Sequence, residues 1–187
     1  MLAYVPLLLF ALVLGATLIR GRAVRARSGV RAWAFFEARG MQRAAGLAFA
    51  LSITVLAAAS TLVAAGRIDA SPPLIATGSA VMALGLLVVV TAQVQMGTAW
   101  RVGVRPGDAP VFVTAGLFRF SRNPIFAGMI VMALGAALVA PTWWTIAAAL
   151  AFALACDVQV RIEEAHLSDA FGSAYEAFRA RTPRWLI

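Results

Sequence analysis

Five stretches of this chain are apolar for long enough to cross a bilayer, and that limits what it can fold into. A spanning helix needs about 20 mainly apolar residues, because hydrocarbon offers no partner to an open backbone N–H or C=O. The runs are Leu2 to Ile19, Ala44 to Gly66, Leu74 to Met96, Pro124 to Ala140 and Thr145 to Val160. Composition agrees: of 187 residues, 62% are hydrophobic and 13% charged, where a soluble domain averages about 45–50% and about 25%. The first run has no basic segment before it and no cleavage site, so it reads as a span and not as a signal peptide. The expectation is an all-α integral membrane protein of five transmembrane helices in one domain over 1–187. Residues 1–96 form a three-helix scaffold; 97–187 supply a loop, a helical hairpin and a C-terminal helix.

Charge orients the spans. Fifteen of the sixteen basic residues, all arginine, lie in the first-to-second connection, the third-to-fourth connection and the C-terminal tail. Five spans place those three regions on one side. By the positive-inside tendency that side is the cytoplasm, with the chain's start outside. The net charge of +8 therefore reports topology and contact with membrane lipid. Nucleic acid is not an expected partner, because no stacking aromatics interleave a basic patch on a soluble fold. Beyond Val160, Leu167, Phe171, Tyr175 and Phe178 recur at helical spacing, which predicts an amphipathic interfacial helix. No convincing internal repeat and no disordered tail is evident.

Polar residues gather at one membrane face. Arg101, Arg119, Arg122 and Asn123 precede the fourth run; Asp157, Arg161, Glu163 and Glu164 end the fifth. The short "PTWW" connection makes those two runs an antiparallel hairpin, so its open ends must be neighbours. A pocket beside Pro124 shared by Arg122 and the Glu163–Glu164 pair is expected there, since ionisable groups near the membrane interior pair or line a cavity; a structural ion pair of Arg122 with either carboxylate would explain only part of the cluster. Pro124 suits a first helical position, which needs no N–H. The helix N-terminus then offers free N–H groups to a carboxylate or phosphate. Cys156 is the only cysteine and His166 the only histidine. They provide no disulfide, no convincing zinc site and no hydrolase triad. No G-x-G-x-x-G follows a strand, so a Rossmann cofactor site is not expected.

"GTAWRVGV", "VTAGLFRFSRNPIFAG" and "EEAHLSDAFGSAYEAFRARTPRW", in that order, resemble the membrane methyltransferases of the isoprenylcysteine carboxyl methyltransferase type, with which phospholipid methyltransferases share features. The likeness covers residues 97–185. Its five-run layout is similar to that of the small prokaryotic members, which implies a prokaryotic inner or plasma membrane. It also implies S-adenosyl-L-methionine as methyl donor and a lipophilic methyl acceptor. The cofactor shell it implies is Val111, Phe112, Val113, Phe118, Arg122, Asn123, Pro124, Ile125, Phe126 and Glu163.

The chain departs from that pattern in places. Asn123 stands where many members have His, and Phe118 and Phe126 where Tyr is common. Gln159 stands where the isoprenylcysteine enzymes place a substrate-contacting Arg. The nearest arginine, Arg161, lies about 200° round the helix, so prenylcysteine does not follow as the acceptor. A carboxylate or thiol acceptor needs no general base. A hydroxyl or amine does, and Glu164 or Asp157 could take that proton while Arg161 orients an anionic acceptor. Two other readings stay open at this point: a membrane reductase of related fold using NADPH, and a non-enzymatic helical membrane protein. The acceptor and the oligomeric state are not legible.

Overall fold

The computed structural model describes residues 1–29, 39–100 and 112–185. The described chain is all helical. It runs α1 (Val5–Ser28), α2 (Gly40–Ala64), α3 (Pro72–Gln95), α4 (Pro124–Val139), α5 (Trp143–Phe171) and α6 (Ser173–Arg181). Proline opens α1, α3 and α4, where the missing N–H costs nothing and the fixed φ is already helical. Four helices, α1, α2, α3 and α5, are long and apolar enough to span. The fourth run forms only 16 helical residues, about 24 Å at 1.5 Å per residue against a hydrocarbon core of about 30 Å.

The core lies among α2, α3, α4 and α5, with Leu56, Met82, Val139 and Cys156 fully enclosed. Phe49 of α2 and Phe152 of α5 stack with ring centroids 4.5 Å apart. The tightest contact is between α3 and α4. A Cβ on Gly85 would lie 2.5 Å from the carbonyl oxygen of Gly128, and one on Gly78 would lie 2.6 Å from that of Gly135. The helices thus cross antiparallel with backbones touching. In lipid such contact is favoured by packing, because no hydrophobic gain remains once both helices are in the bilayer.

This seam exposes a repeat that the linear reading passes over. Val81–Gly85 and Val131–Gly135 both read VMALG. On each helix a glycine, a methionine, a glycine and a valine follow at steps of four, three and four: Gly78, Met82, Gly85, Val89 and Gly128, Met132, Gly135, Val139. Antiparallel packing sets each glycine against its counterpart, and the buried methionines Met82 and Met132 fill the space between. The unit is short and apolar, so within a hydrophobic run it does not stand out until the two copies face each other.

The hairpin turn is as the sequence suggests. Thr142 caps α5 by accepting from Thr145 N, and Thr145 Oγ1 accepts from Thr142 N at 3.0 Å, a reciprocal capping box. The far end of α5 differs from the expectation. Hydropathy falls after Val160, but the helix continues to Phe171, because Arg161, Glu163, Glu164 and Ala165 are good helix formers. The expected single C-terminal helix is therefore divided. Leu167 and Phe171 belong to α5, Gly172 turns the chain at φ 51°, and Tyr175 and Phe178 belong to α6. At 29 residues α5 is about 43 Å long, so its last turns project past the hydrocarbon core.

Candidate functional site

The polar centre of the molecule is Glu164, only 6% exposed. Its Oε1 accepts from Asn123 Nδ2 at 3.0 Å and lies 3.2 Å from Arg122 Nε. Its Oε2 accepts from Arg184 Nε at 3.1 Å and Nη2 at 2.8 Å. One carboxylate thus joins the start of α4, the end of α5 and the C-terminal tail. Backbone contacts close the same junction. Arg122 N donates to Pro183 O at 2.9 Å, Ser121 Oγ to Arg184 O at 2.9 Å, and Asn123 N to Ser121 Oγ at 3.1 Å. The carboxylate beside Arg184 raises its already high guanidinium pKa, chiefly through the hydrogen bond.

The hairpin argument is met: Arg122 and Glu164 are an ion pair. Arg122 is not fully engaged by it. Its side chain is 8% exposed, its Nε lies off the hydrogen-bond direction, and Nη1 has no hydrogen-bond partner among the described residues. Asn123 is the N-cap residue of α4 but makes no side-chain cap, because its amide is turned to Glu164. The first N–H groups of α4 are therefore left uncapped beside a buried guanidinium with a spare donor. Pro124 is buried at the first position.

The remaining sequence-predicted residues fall in three groups. Phe112 packs against Phe171, Tyr175 and Phe178 at centroid distances of 4.6, 5.6 and 5.7 Å, which pins the loop to the α5–α6 corner. Burial, and then the Glu164 charge, push the Tyr175 hydroxyl up to about 12, so this ring stays neutral. Phe118 is buried, Val113 half-buried, Ile125 meets Trp100 and Val24, and Phe126 packs on the main core. Val111 and Arg101 lie outside the described residues.

α5 carries acids on two different faces. Asp157, Arg161 and Glu164 follow at steps of four and three, so they share one face. Arg161 Nε meets Asp157 Oδ2 at 2.6 Å, with the arginine side chain 61% exposed. Gln159 and Glu163 share another face, where Gln159 Nε2 donates to Glu163 Oε1 at 3.1 Å. The adjacent carboxylates are thus not equivalent: Glu164 is held in a clasp by Arg122, Asn123 and Arg184, and Glu163 is not part of it. Sequence reasoning missed Arg184 and Ser121, although Pro183–Arg184 was visible as the end of the resembling pattern. It also missed Gln95, whose Oε1 accepts from Leu117 N at 2.7 Å and ties the loop to the end of α3.

The phospholipid methyltransferase family profile matches residues 74–174, from the start of α3 into α6. The chain belongs to the phospholipid methyltransferase family. It is an integral membrane methyltransferase that uses S-adenosyl-L-methionine. No curated protein and no solved structure matches the chain. The matched span takes in the α3–α4 seam and the Ser121, Arg122, Asn123 and Glu164 part of the polar junction, while Pro183 and Arg184 lie beyond it.

Proposed function

We propose that this phospholipid methyltransferase family member methylates an amine of a phospholipid headgroup at the cytoplasmic face. The observation that carries the site is Arg122, buried at the N-terminus of α4 with a donor that has no partner among the described residues. S-adenosyl-L-methionine has a carboxylate, an ammonium, a sulfonium and an adenine. The residues fit such a molecule: Arg122 Nη1 and the uncapped α4 N–H groups suit the carboxylate, and Glu163 suits the ammonium. Phe118 and Phe126, with Phe112, Val113, Asn123, Pro124 and Ile125, supply apolar and aromatic walls; Val111, which the resemblance also implies, lies outside the described residues. When bound, the cofactor supplies an activated methyl whose bonding electron pair leaves with sulfur.

The chain's own work is positional. Glu164 holds Arg122, Asn123 and Arg184 in one arrangement, and so acts as a positioning residue in this reading. An ammonium acceptor must lose a proton before its nitrogen can attack. Asp157, on an accessible face beside Arg161, takes that proton. Arg161 holds the headgroup phosphate as a charge-assisted partner.

The reading includes five spans. α4 lies between α3 and α5, both long enough to cross, and the three-residue turn to α5 leaves it no room to turn back. The start of α1 is then outside. A cysteine at position 25 (Arg25→Cys in a Cys156→Ala background) should be labelled only by a membrane-permeant reagent in intact cells. Labelling by an impermeant one would reverse the topology.

Cofactor binding is tested by calorimetry with S-adenosylhomocysteine. Loss of one partner of a buried charged hydrogen bond costs about 2–5 kcal/mol, so Glu163→Ala is expected to weaken binding at least ~30-fold while the protein stays folded. Glu176→Ala, exposed on α6, should change it by less than about threefold. Unchanged affinity in Glu163→Ala would remove this carboxylate from the cofactor shell. Transfer of labelled methyl to extracted lipids, with no amine product, would sink the acceptor assignment.

A further inference from the structure

α1 is the least buried of the spanning helices. Only 11% of its apolar stretch lies inside the molecule, against 28%, 33% and 39% for α2, α3 and α5. Between helices in lipid no hydrophobic gain remains, so packing and polar contacts must hold it. Those contacts gather near its end. Thr17 Oγ1 accepts from Gln93 Nε2 at 3.2 Å, Arg20 Nη2 donates to Gly97 O, and Val24 forms a buried cluster with Trp100. The α1 positions step by three and four and share one face. Their partners rise in the same order, so the contact is a parallel ladder.

The partner segment is where α3 stops. Met96 is its C-cap and Gly97 follows at φ 56°, the left-handed turn by which helices commonly end. The last carbonyls there lack intrahelical partners and carry the negative end of the helix dipole. Arg20 brings a donor and a positive charge to that end from another helix.

The same short segment supports the candidate site on its other sides. Gln95 Oε1 accepts from Leu117 N at 2.7 Å. Gly116, at φ 63°, sits so close to the Gln95 amide that a Cβ would strike it. Leu117 leads directly into Phe118, a wall of the proposed cofactor shell. The Val24–Trp100 cluster packs against Ile125, the second residue of α4, beside Pro124 and three residues from Arg122.

We infer that Arg20 is a positioning residue for S-adenosyl-L-methionine: by holding the end of α3 at Gly97, it fixes both the Gly116–Phe118 loop and the start of α4. The inference rests on the cofactor shell proposed above. It extends the support of that shell to α1, which lies before residue 74, where the family match begins. Arg20 acts through Gly97 and needs no contact with the cofactor. Without it the Gly97 carbonyl loses its donor, and the loop and the α4 start lose their common fixed point.

The test uses full-length protein in detergent, well below its melting temperature, with S-adenosylhomocysteine as probe. Arg20→Met keeps most of the side-chain bulk and removes every donor. It is expected to weaken binding at least about tenfold, the fold-change of one charged hydrogen bond, and to speed hydrogen exchange in the peptide over 113–121. In methyl transfer to extracted lipids, KM for S-adenosyl-L-methionine should rise while kcat stays within about threefold. Arg20→Lys keeps a cationic donor and should recover most of the affinity. Arg22→Met, on an exposed part of α1, should change affinity by less than about twofold. Gln95→Leu cuts the other arm of the segment. Combined with Arg20→Met it should cost less than the two fold-changes multiplied, because both act through one element.

An Arg20→Met protein that melts earlier yet binds S-adenosylhomocysteine like wild type would make the contact structural only and overturn the inference. Equal losses in Arg20→Met and Arg22→Met would report net charge and overturn it too. If Arg20→Met does not fold, Thr17→Val carries the test. It loosens the adjoining rung and should weaken binding about threefold; wild-type affinity and exchange there would overturn the inference. Loss in Arg20→Met with unchanged affinity in Glu163→Ala would keep the role of Arg20 and remove Glu163 from the proposed shell. The reverse pattern would keep the shell and overturn the role of Arg20.

Discussion

Gly85→Leu is expected to remove the folded protein. The first added atom would lie 2.5 Å from Gly128 O, 2.6 Å from Met132 Cγ and 2.7 Å from Met132 N. Two of those three atoms are backbone, so no side-chain rotation relieves the clash, and α3 and α4 must separate. Overpacking of a tight core usually costs about 1–3 kcal/mol and sometimes more. Here the whole seam must open, and at least about 3 kcal/mol is expected, a large share of the marginal stability of any domain. α4 carries Arg122 and Asn123 at its start, so S-adenosylhomocysteine binding should fall with stability. Gly15→Ala is the matching control. Nothing lies within 4 Å of an added Cβ there, and the change replaces a poor helix former by the best, worth up to about 1 kcal/mol in its favour. Thermal unfolding in detergent, followed by size-exclusion chromatography, measures both. A Gly85→Leu protein that elutes and melts like wild type would mean that the two helices are not in backbone contact.

Glu164→Ala is expected to have the second large effect. The substitution leaves Arg122 and Arg184, with side chains 8% and 26% exposed, as like charges without their anion. Removing one partner of a buried ion pair typically costs about 3–5 kcal/mol, because the charge left behind is neither paired nor hydrated. The Asn123 amide loses its acceptor as well. The tail from Pro183 onward should detach, becoming open to carboxypeptidase, and the melting temperature should fall clearly. Glu164→Gln keeps the shape and one acceptor oxygen, so part of the loss should be recovered. Glu163→Ala, one residue away, should melt close to wild type. If the two alanine variants changed places, with Glu163→Ala unfolding and Glu164→Ala merely losing cofactor affinity, the clasp would be assigned to the wrong carboxylate.

Much of this architecture is legible without coordinates, for reasons specific to lipid. A bilayer forces every backbone polar group to be satisfied within its own helix, so a run such as Leu74 to Met96 has one available structure. Pro72 and Pro124 mark helix starts because proline has no other comfortable place in a helix. The "PTWW" turn leaves α4 and α5 no geometry but a hairpin, and so Arg122 had to come near the acids ending α5. Hydropathy was a poor guide where helix propensity outlasts it, in the nine residues of α1 after Ile19 and the eleven residues of α5 after Val160, and where Gly172 breaks a stripe that reads as continuous.

Partner choice was decided by tertiary structure alone. Glu163 and Glu164 are chemically identical and adjacent, and sequence cannot rank them. A helix turns 100° between neighbours, so one points into the junction of α4 and the tail while the other pairs with Gln159. Likewise, glycines in an apolar helix are common, and nothing in α3 by itself says that Gly78 and Gly85 touch another backbone. Only the antiparallel register against Gly135 and Gly128 does so, since close packing between helices depends on which small residues meet in space and not on where they lie along the chain.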